Sequence, residues 1–216
     1  MPRTIIWIVI LGLASLACQL SSLTSELFDT PSGSVLFQDD FSDTSSGWQN
    51  QSREEFGTVD YFDGYYRIAV QGDQNMIWAG PGLNFTDVRI EADMIKVIGS
   101  EDDLFGLVCR AADHENYYFF VISSDGYYGI GKTINGVQSM INAEGMHPSE
   151  IVSQGKTINH LRADCIADRL ELSINGQLVA QVRDPDLSQG DVGLLAGNLA
   201  SQENVVLFDN FSTIKP

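Results

Sequence analysis

The sequence predicts an all-β domain, a two-sheet sandwich or a barrel. Three observations predict it. About a dozen short segments at close spacing carry strand-like apolar patterns, several alternating with a period of two. Hairpin dipeptides recur between them, among them Asp63-Gly64, Asn135-Gly136 and Asn175-Gly176, which reach the positive φ of tight turns at little cost. No window sustains the 3.6-residue period of an amphipathic helix.

Residues 1–17 read as an export signal. Arg3 supplies a positive end, and residues 5–16 form an apolar run. At about a dozen residues the run is shorter than the ~20 that a membrane-spanning helix needs. It closes on Ser15-Leu16-Ala17-Cys18, which resembles the bacterial lipobox, with Ser15 at the usual aliphatic position. The resemblance implies cleavage before Cys18, lipidation of Cys18, and an extracytoplasmic, membrane-anchored domain. Release by an ordinary signal peptidase is the alternative. Residues 18–33 are rich in Ser and Thr without periodicity and read as a flexible tether. Residues 34–216 are long enough for one domain with its own core.

Within that domain, residues 34–41 open as a strand, followed by a turn at 43–47. Residues 59–62 and 65–70 form a hairpin around Asp63-Gly64, and 75–78 is a short strand closed by Gly80-Pro81-Gly82. Residues 87–95 alternate, with Val88, Ile90, Ala92 and Met94 on one face and Arg89, Glu91 and Asp93 on the other. Residues 105–136 hold three consecutive strands. The middle one, residues 117–122, is apolar on both parities, so it is covered on both faces or lies under a ligand. Residues 136–144 fit no single class. Strands follow at 158–165, 169–174, 177–182, 191–196 and 204–214.

Composition excludes some partners. The formal charge is −17, from 12 basic and 29 acidic residues. Such a surface repels phosphate backbones, so nucleic acid is not expected to bind. With Cys18 assigned to the anchor, Cys109 and Cys165 remain, both on predicted strands of an exported domain, and they are expected to pair as a disulfide. The string GYYGIGKT at 126–133 matches the phosphate-cradling pattern G-x-x-x-x-G-K-[ST]. That chemistry needs a helix N-terminus directly after the loop. Here Ile134-Asn135-Gly136-Val137 follows, a turn and another strand, so no nucleotide is expected.

Four stretches resemble concanavalin A-like jelly rolls: LFQDDFSDTSSGW, DRLELSINGQLVAQVRD, GDVGLLAG and VVLFDNFSTI. They are most similar to laminin-G-like domains and to the 3-keto-disaccharide hydrolase domain, and the resemblance spans roughly residues 34–215. It implies two curved antiparallel sheets with a concave face that often binds glycans. It does not fix an activity, because the fold hosts lectins, adhesive modules and enzymes alike.

Candidate site residues follow. Trp78, Tyr117 and Tyr128 are aromatics suited to stacking on sugars, with core filling as the competing role. Arg110, Arg162 and Asp164 have the opposite parity to the cysteines and are expected to face outward, where the arginines could bind a ligand. Glu91 and Asp93 share a strand face. The resemblance to family 16 glycoside hydrolases makes them catalytic candidates, but Ile95 and Lys96 stand where that family carries its acid. Asp164 could supply the missing carboxyl. Asp39 and Asp40 on the first strand, and Asp209 beside Asn210 on the last, could hold a structural Ca²⁺ if the terminal strands lie side by side. No other cofactor is expected. The reading is a tethered module that binds carbohydrate or another surface ligand without catalysis. The alternatives are a hydrolase of the 3-keto-disaccharide type and a structural or adhesive envelope domain.

Overall fold

A computed structural model of the chain describes residues 31–53, 55–141, 143–199 and 203–216. The export signal, Cys18 and most of the 18–33 tether lie outside the described residues. Sixteen strands are described, in chain order β1 (Val35–Asp39), β2 (Gln51–Arg53), β3 (Gly57–Phe62), β4 (Tyr65–Gln71), β5 (Met76–Ala79), β6 (Val88–Ile98), β7 (Leu104–Asp113), β8 (Asn116–Ser123), β9 (Tyr127–Ile134), β10 (Val137–Met140), β11 (His147–Pro148), β12 (Asn159–Ile166), β13 (Arg169–Ile174), β14 (Gln177–Arg183), β15 (Asp191–Gly197) and β16 (Glu203–Ile214).

They form two antiparallel sheets. The first runs β14-β13-β12-β6-β16-β4-β3-β2, with β1 also paired to β16. The second runs β10-β9-β8-β7-β15-β5, with β11 paired to β9. The terminal strands are neighbours, with Asp39 opposite Phe211. The undecided stretch after Asn135-Gly136 resolves into β10, paired with β9. β2 and β11 are too short to leave a periodic trace in the sequence.

The inward residues of both sheets meet in one core. Ile90, Ala92 and Met94 of β6 face Phe105 and Leu107 of β7 and Phe120 of β8, all buried. Cys109 and Cys165 join within it as a disulfide, so β7 of one sheet is bonded to β12 of the other.

A second apolar cluster lies on the other face of the seven-stranded sheet, formed by Trp78, Leu104, Val108, Tyr117, Phe119, Val121 and Leu195. Met76 on β5 and Gln138 on β10 approach to 3.6 Å. These strands are opposite edges of the sheet. Flat, a six-strand sheet would hold its edges about 24 Å apart at ~4.8 Å per strand. Two side chains cannot span that distance, so the sheet is curled and this face is concave. Its floor is kept thin to admit the rings: a Cβ at Gly131 would collide with Phe119, and one at Gly129 with Met140.

Candidate functional site

The concave face is filled by the protein's own side chains, and that relocates the candidate site. Tyr117 and Phe119 are each 3% exposed and Trp78 is 7% exposed. The two-sided apolar pattern of β8 is therefore self-covered along the middle of the groove. Space remains at one end, where the β5 edge of the concave sheet meets the β2–β3 edge of the other. There a notch of about 220 Å³ opens. Trp78, Tyr117 and Met76 form its concave-side wall, and His114 lies at the β7–β8 turn beside it. Val59 and Ile77, which belong to or pack on the inter-sheet core, form the inner wall with Gly57. Gln49, Gln51 and the half-exposed Phe56 complete the rim.

The rings are ordered. His114 lies against Trp78 with centroids 4.9 Å apart, and Tyr117 is 5.9 Å from Trp78. The Tyr117 hydroxyl donates to Met76 Sδ at 3.8 Å, and burial raises its pKa above the ordinary phenol value. The Trp78 indole N–H is sealed without an acceptor among the described residues, a state that costs about 1–3 kcal/mol. Gly57 is required at the inner wall. Its φ is +132°, and a Cβ there would strike the Ala69 carbonyl and crowd Ile77. Among the described residues, nothing lining the notch is a carboxylate, lysine or arginine.

Trp78 and Tyr117 thus fall together, but as wall and not as free platforms. Tyr128 lies elsewhere. It packs beside the core near β14 and donates its hydroxyl to the Val179 carbonyl at 3.1 Å. Phe56, His114, Gln49 and Gln51 escaped the sequence reading. They sit in turns or on short edges with no periodicity, and only the pairing of distant strands brings them to Trp78.

The outward placement expected for Arg110 is corrected. Arg110 is 1% exposed, and its register shifts in a bulge between Cys109 and Asp113, where its φ is +51°. A bulge breaks the two-residue alternation on which the parity argument rested. Its Nε donates to the Thr86 carbonyl at 3.1 Å and Nη1 to the Leu187 carbonyl at 3.0 Å, with Asp87 at 3.4 Å. It is committed to tying the loop before β6 to the loop after β14.

Arg162 and Asp164 do sit on the outer face of the nine-stranded sheet. Asp164 is 2% exposed because Arg89 and Arg162 clamp it, each at 2.7 Å. It is not free to act as an acid. Glu91 and Asp93 share that outer face, and the neighbouring strand brings His160 to them, opposite Asp93 in register. His160 Nδ1 is 2.8 Å from Asp93 Oδ1, while its Nε2 is 3.8 Å from Glu91. Asn210 Nδ2 donates to the other Asp93 oxygen at 2.8 Å.

Asp209, one residue on, has its carboxyl pushed above the usual range, chiefly by burial and further by Asp93 and Asp40 nearby. Its Oδ1 accepts from the Asn210 amide at 2.7 Å. Asp39 accepts from the Phe41 amide at 2.8 Å and from Ser46, and Asp40 accepts from Ser42 at 2.6 Å. The terminal strands do adjoin. Among the described residues no three His, Cys, Asp or Glu side chains form a group by themselves, while Ca²⁺ also draws on backbone and amide oxygens. Asp39, Asp40 and Asn210 line one shared pocket.

The GYYGIGKT string is a strand. It forms most of β9, and Lys132 pairs with Asp184 at 2.5 Å and Asp186 at 2.6 Å.

No family model matches the chain, and no curated protein matches it. Solved structures do. The carbohydrate binding module CBM66 from Bacillus subtilis aligns with a TM-score of 0.63 at 20% identity, over 78% of this chain and 95% of that one. A Bacillus subtilis protein of unknown function with a galectin-like fold aligns at 0.62 and 14% identity, over 86% and 97%. The fold is a concanavalin A-like jelly roll. The GH43 protein BlXynB from Bacillus licheniformis aligns at 0.62 and 16% identity, but this chain spans only 39% of its length. At such identities the likeness is one of fold. In this jelly roll the aromatic notch lies at the end of the concave groove, and the polar Glu91–Asp93–His160 face lies on the opposite sheet.

Proposed function

We propose that the protein is an extracytoplasmic carbohydrate-binding module, tethered through lipidated Cys18, which holds its ligand in the notch beside Trp78 and does not cleave it. The observation that carries this reading is the notch itself. Packed aromatic rings and two glutamine side chains surround a space that, among the described residues, no carboxylate, lysine or arginine lines. Sugars present that mixture, with C–H faces that lie against rings and hydroxyls that bond to amides. Jelly rolls that align along most of this chain include one described as a carbohydrate binding module, which supports the same ligand class.

The test is retention of the purified protein on an array of neutral glycans, alongside Phe56→Ala. Phe56 is 47% exposed, so its loss spares the core. Retention of no glycan would overturn the reading. For the anchor, wild type labelled with palmitate in its host should carry the label and Cys18→Ala should not. Equal labelling would remove the tether from the account.

A second reading rests on His160. An imidazole between Glu91 and Asp93 could move a proton, which the sequence alone did not provide. Against it, Arg89, Arg162 and Asp164 continue the same face as a lattice of ion pairs. Reducing-sugar assays on laminarin, lichenan and carrageenan should stay at background. Turnover that disappears in Glu91→Gln would establish the hydrolase instead.

A further inference from the structure

The notch is blind. At its concave end Met76, Tyr117 and Gln138 close over the groove. Tyr117 and Gln138 both approach Met76 Sδ, at 3.8 Å and 3.6 Å. Gln138 comes from the far edge of the sheet, so this contact spans the groove like a strap. Beneath and beyond it, Phe119, Val121 and Leu195 are buried, with Met140 and Met146 packed against them. An extended polymer therefore has no path along the concave face. On the inner side Val59 and Ile77 are backed by the core.

The size agrees. At 220 Å³ the notch is smaller than the roughly 300–1,000 Å³ of sites that enclose drug-sized ligands. It has room for about one sugar ring. Its electrostatics select further. Among the described residues no lysine or arginine lines it, and the whole chain carries a charge of −17. A uronate, sulfate or sialate entering would lose water without gaining a lysine or arginine partner from that lining.

We propose, resting on the carbohydrate reading above, that the notch takes a single neutral sugar unit end-on, at a chain terminus or a side branch, and does not thread the interior of a chain. The strap of Met76, Tyr117 and Gln138 sets that mode by sealing the groove where a second unit in line would lie.

The test is a calorimetric titration of the purified protein with xylo-, fructo- and galacto-oligosaccharides of one to six units. The same titration is run with oligogalacturonides. For whichever neutral series binds, the dissociation constant should stay within about twofold from the shortest binding member upward, and the uronides should bind at least about tenfold more weakly. Affinity that climbs steadily with chain length would overturn end-on recognition while leaving carbohydrate binding intact. Equal or tighter binding of the uronides would overturn the neutral preference in the same way. Heat from none of the series, with no array retention, would instead bring down the carbohydrate reading itself.

Discussion

Arg110 shows how far a single residue can depart from its pattern. Alternation with Cys109 puts it on the outside, and a bulge folds it into the protein, where its guanidinium serves the carbonyls of Thr86 and Leu187. Burial holds its pKa below the ordinary arginine value, with Asp87 opposing that shift. Removing the side chain leaves two carbonyls short of a donor, at about 1–3 kcal/mol for each group left unmatched, while Asp87 is half exposed and keeps the Ala167 amide. Arg110→Ala should accordingly lower stability by roughly 2–4 kcal/mol. Chemical denaturation would measure this, and glycan binding by the folded fraction should be unchanged. A loss under about 0.5 kcal/mol would mean that water replaces the guanidinium. The parity argument did succeed where β12 is unbroken, since Arg162 and Asp164 face out. It could not see that Arg89 would come to seal Asp164, because that contact joins residues 75 positions apart.

At the scale of elements, most strands were legible because burial on one face enforces a period of two. β6 alternates in burial along nearly its whole length, as its residues alternate in polarity. What the sequence could not disclose was which strands become neighbours. Lys132 illustrates this. Within a string that mimics a phosphate loop it is the cation of a pair that ties β9 to the segment after β14. Burial alone would raise the Asp184 carboxyl, but the bonds from Lys132 and from Tyr118 overcome it and hold the group below 3.8. A carboxylate lowered in the folded state adds stability above its unfolded pKa and loses it as pH falls through the folded value. Wild type should therefore keep its stability down to about pH 4 and lose this contribution below that. Lys132→Met should be less stable at neutral pH, and because the Asp184 carboxyl then loses its chief lowering partner, the gap to wild type should narrow as pH falls through the wild-type folded value. Denaturant midpoints between about pH 3 and 7 would show this, and coincident profiles for both proteins would contradict it.

The disulfide belongs to the same scale, since it pins β7 to β12 across 56 residues of chain. Breaking it with Cys109→Ala and Cys165→Ala together should cost roughly 2–5 kcal/mol. An unchanged thermal midpoint would show that packing alone fixes the two sheets.

For the whole molecule, two packed sheets follow from the number of strands, their hairpin turns and the apolar run at 117–122 of β8. The resemblance supplied the concave face. That the face would be occupied by the protein's own side chains was written only indirectly, in Gly131, which makes room for Phe119, and Gly129, which makes room for Met140. The notch was not legible at all. It is assembled from β2, β3, β5 and the β7–β8 turn, pieces brought together by sheet curvature and edge placement. The acidic surface has a similar division. Its charge is plain in the composition, while the lack of carboxylates among the described residues of the notch depends on the fold.

The central claim is that ligand is held at this notch and not on the polar face of the opposite sheet. It is tested most directly by titrating the best-retained neutral glycan into wild type, Phe56→Ala and the double variant Glu91→Gln with His160→Ala. Loss of an exposed ring at a binding site weakens affinity by at least about tenfold where it forms a principal contact. Phe56→Ala should show that loss, and the double variant should keep a dissociation constant within about twofold of wild type. The reverse pattern, with Phe56→Ala unaffected and the double variant unable to bind, would place the site on the face of Asp93 and contradict it.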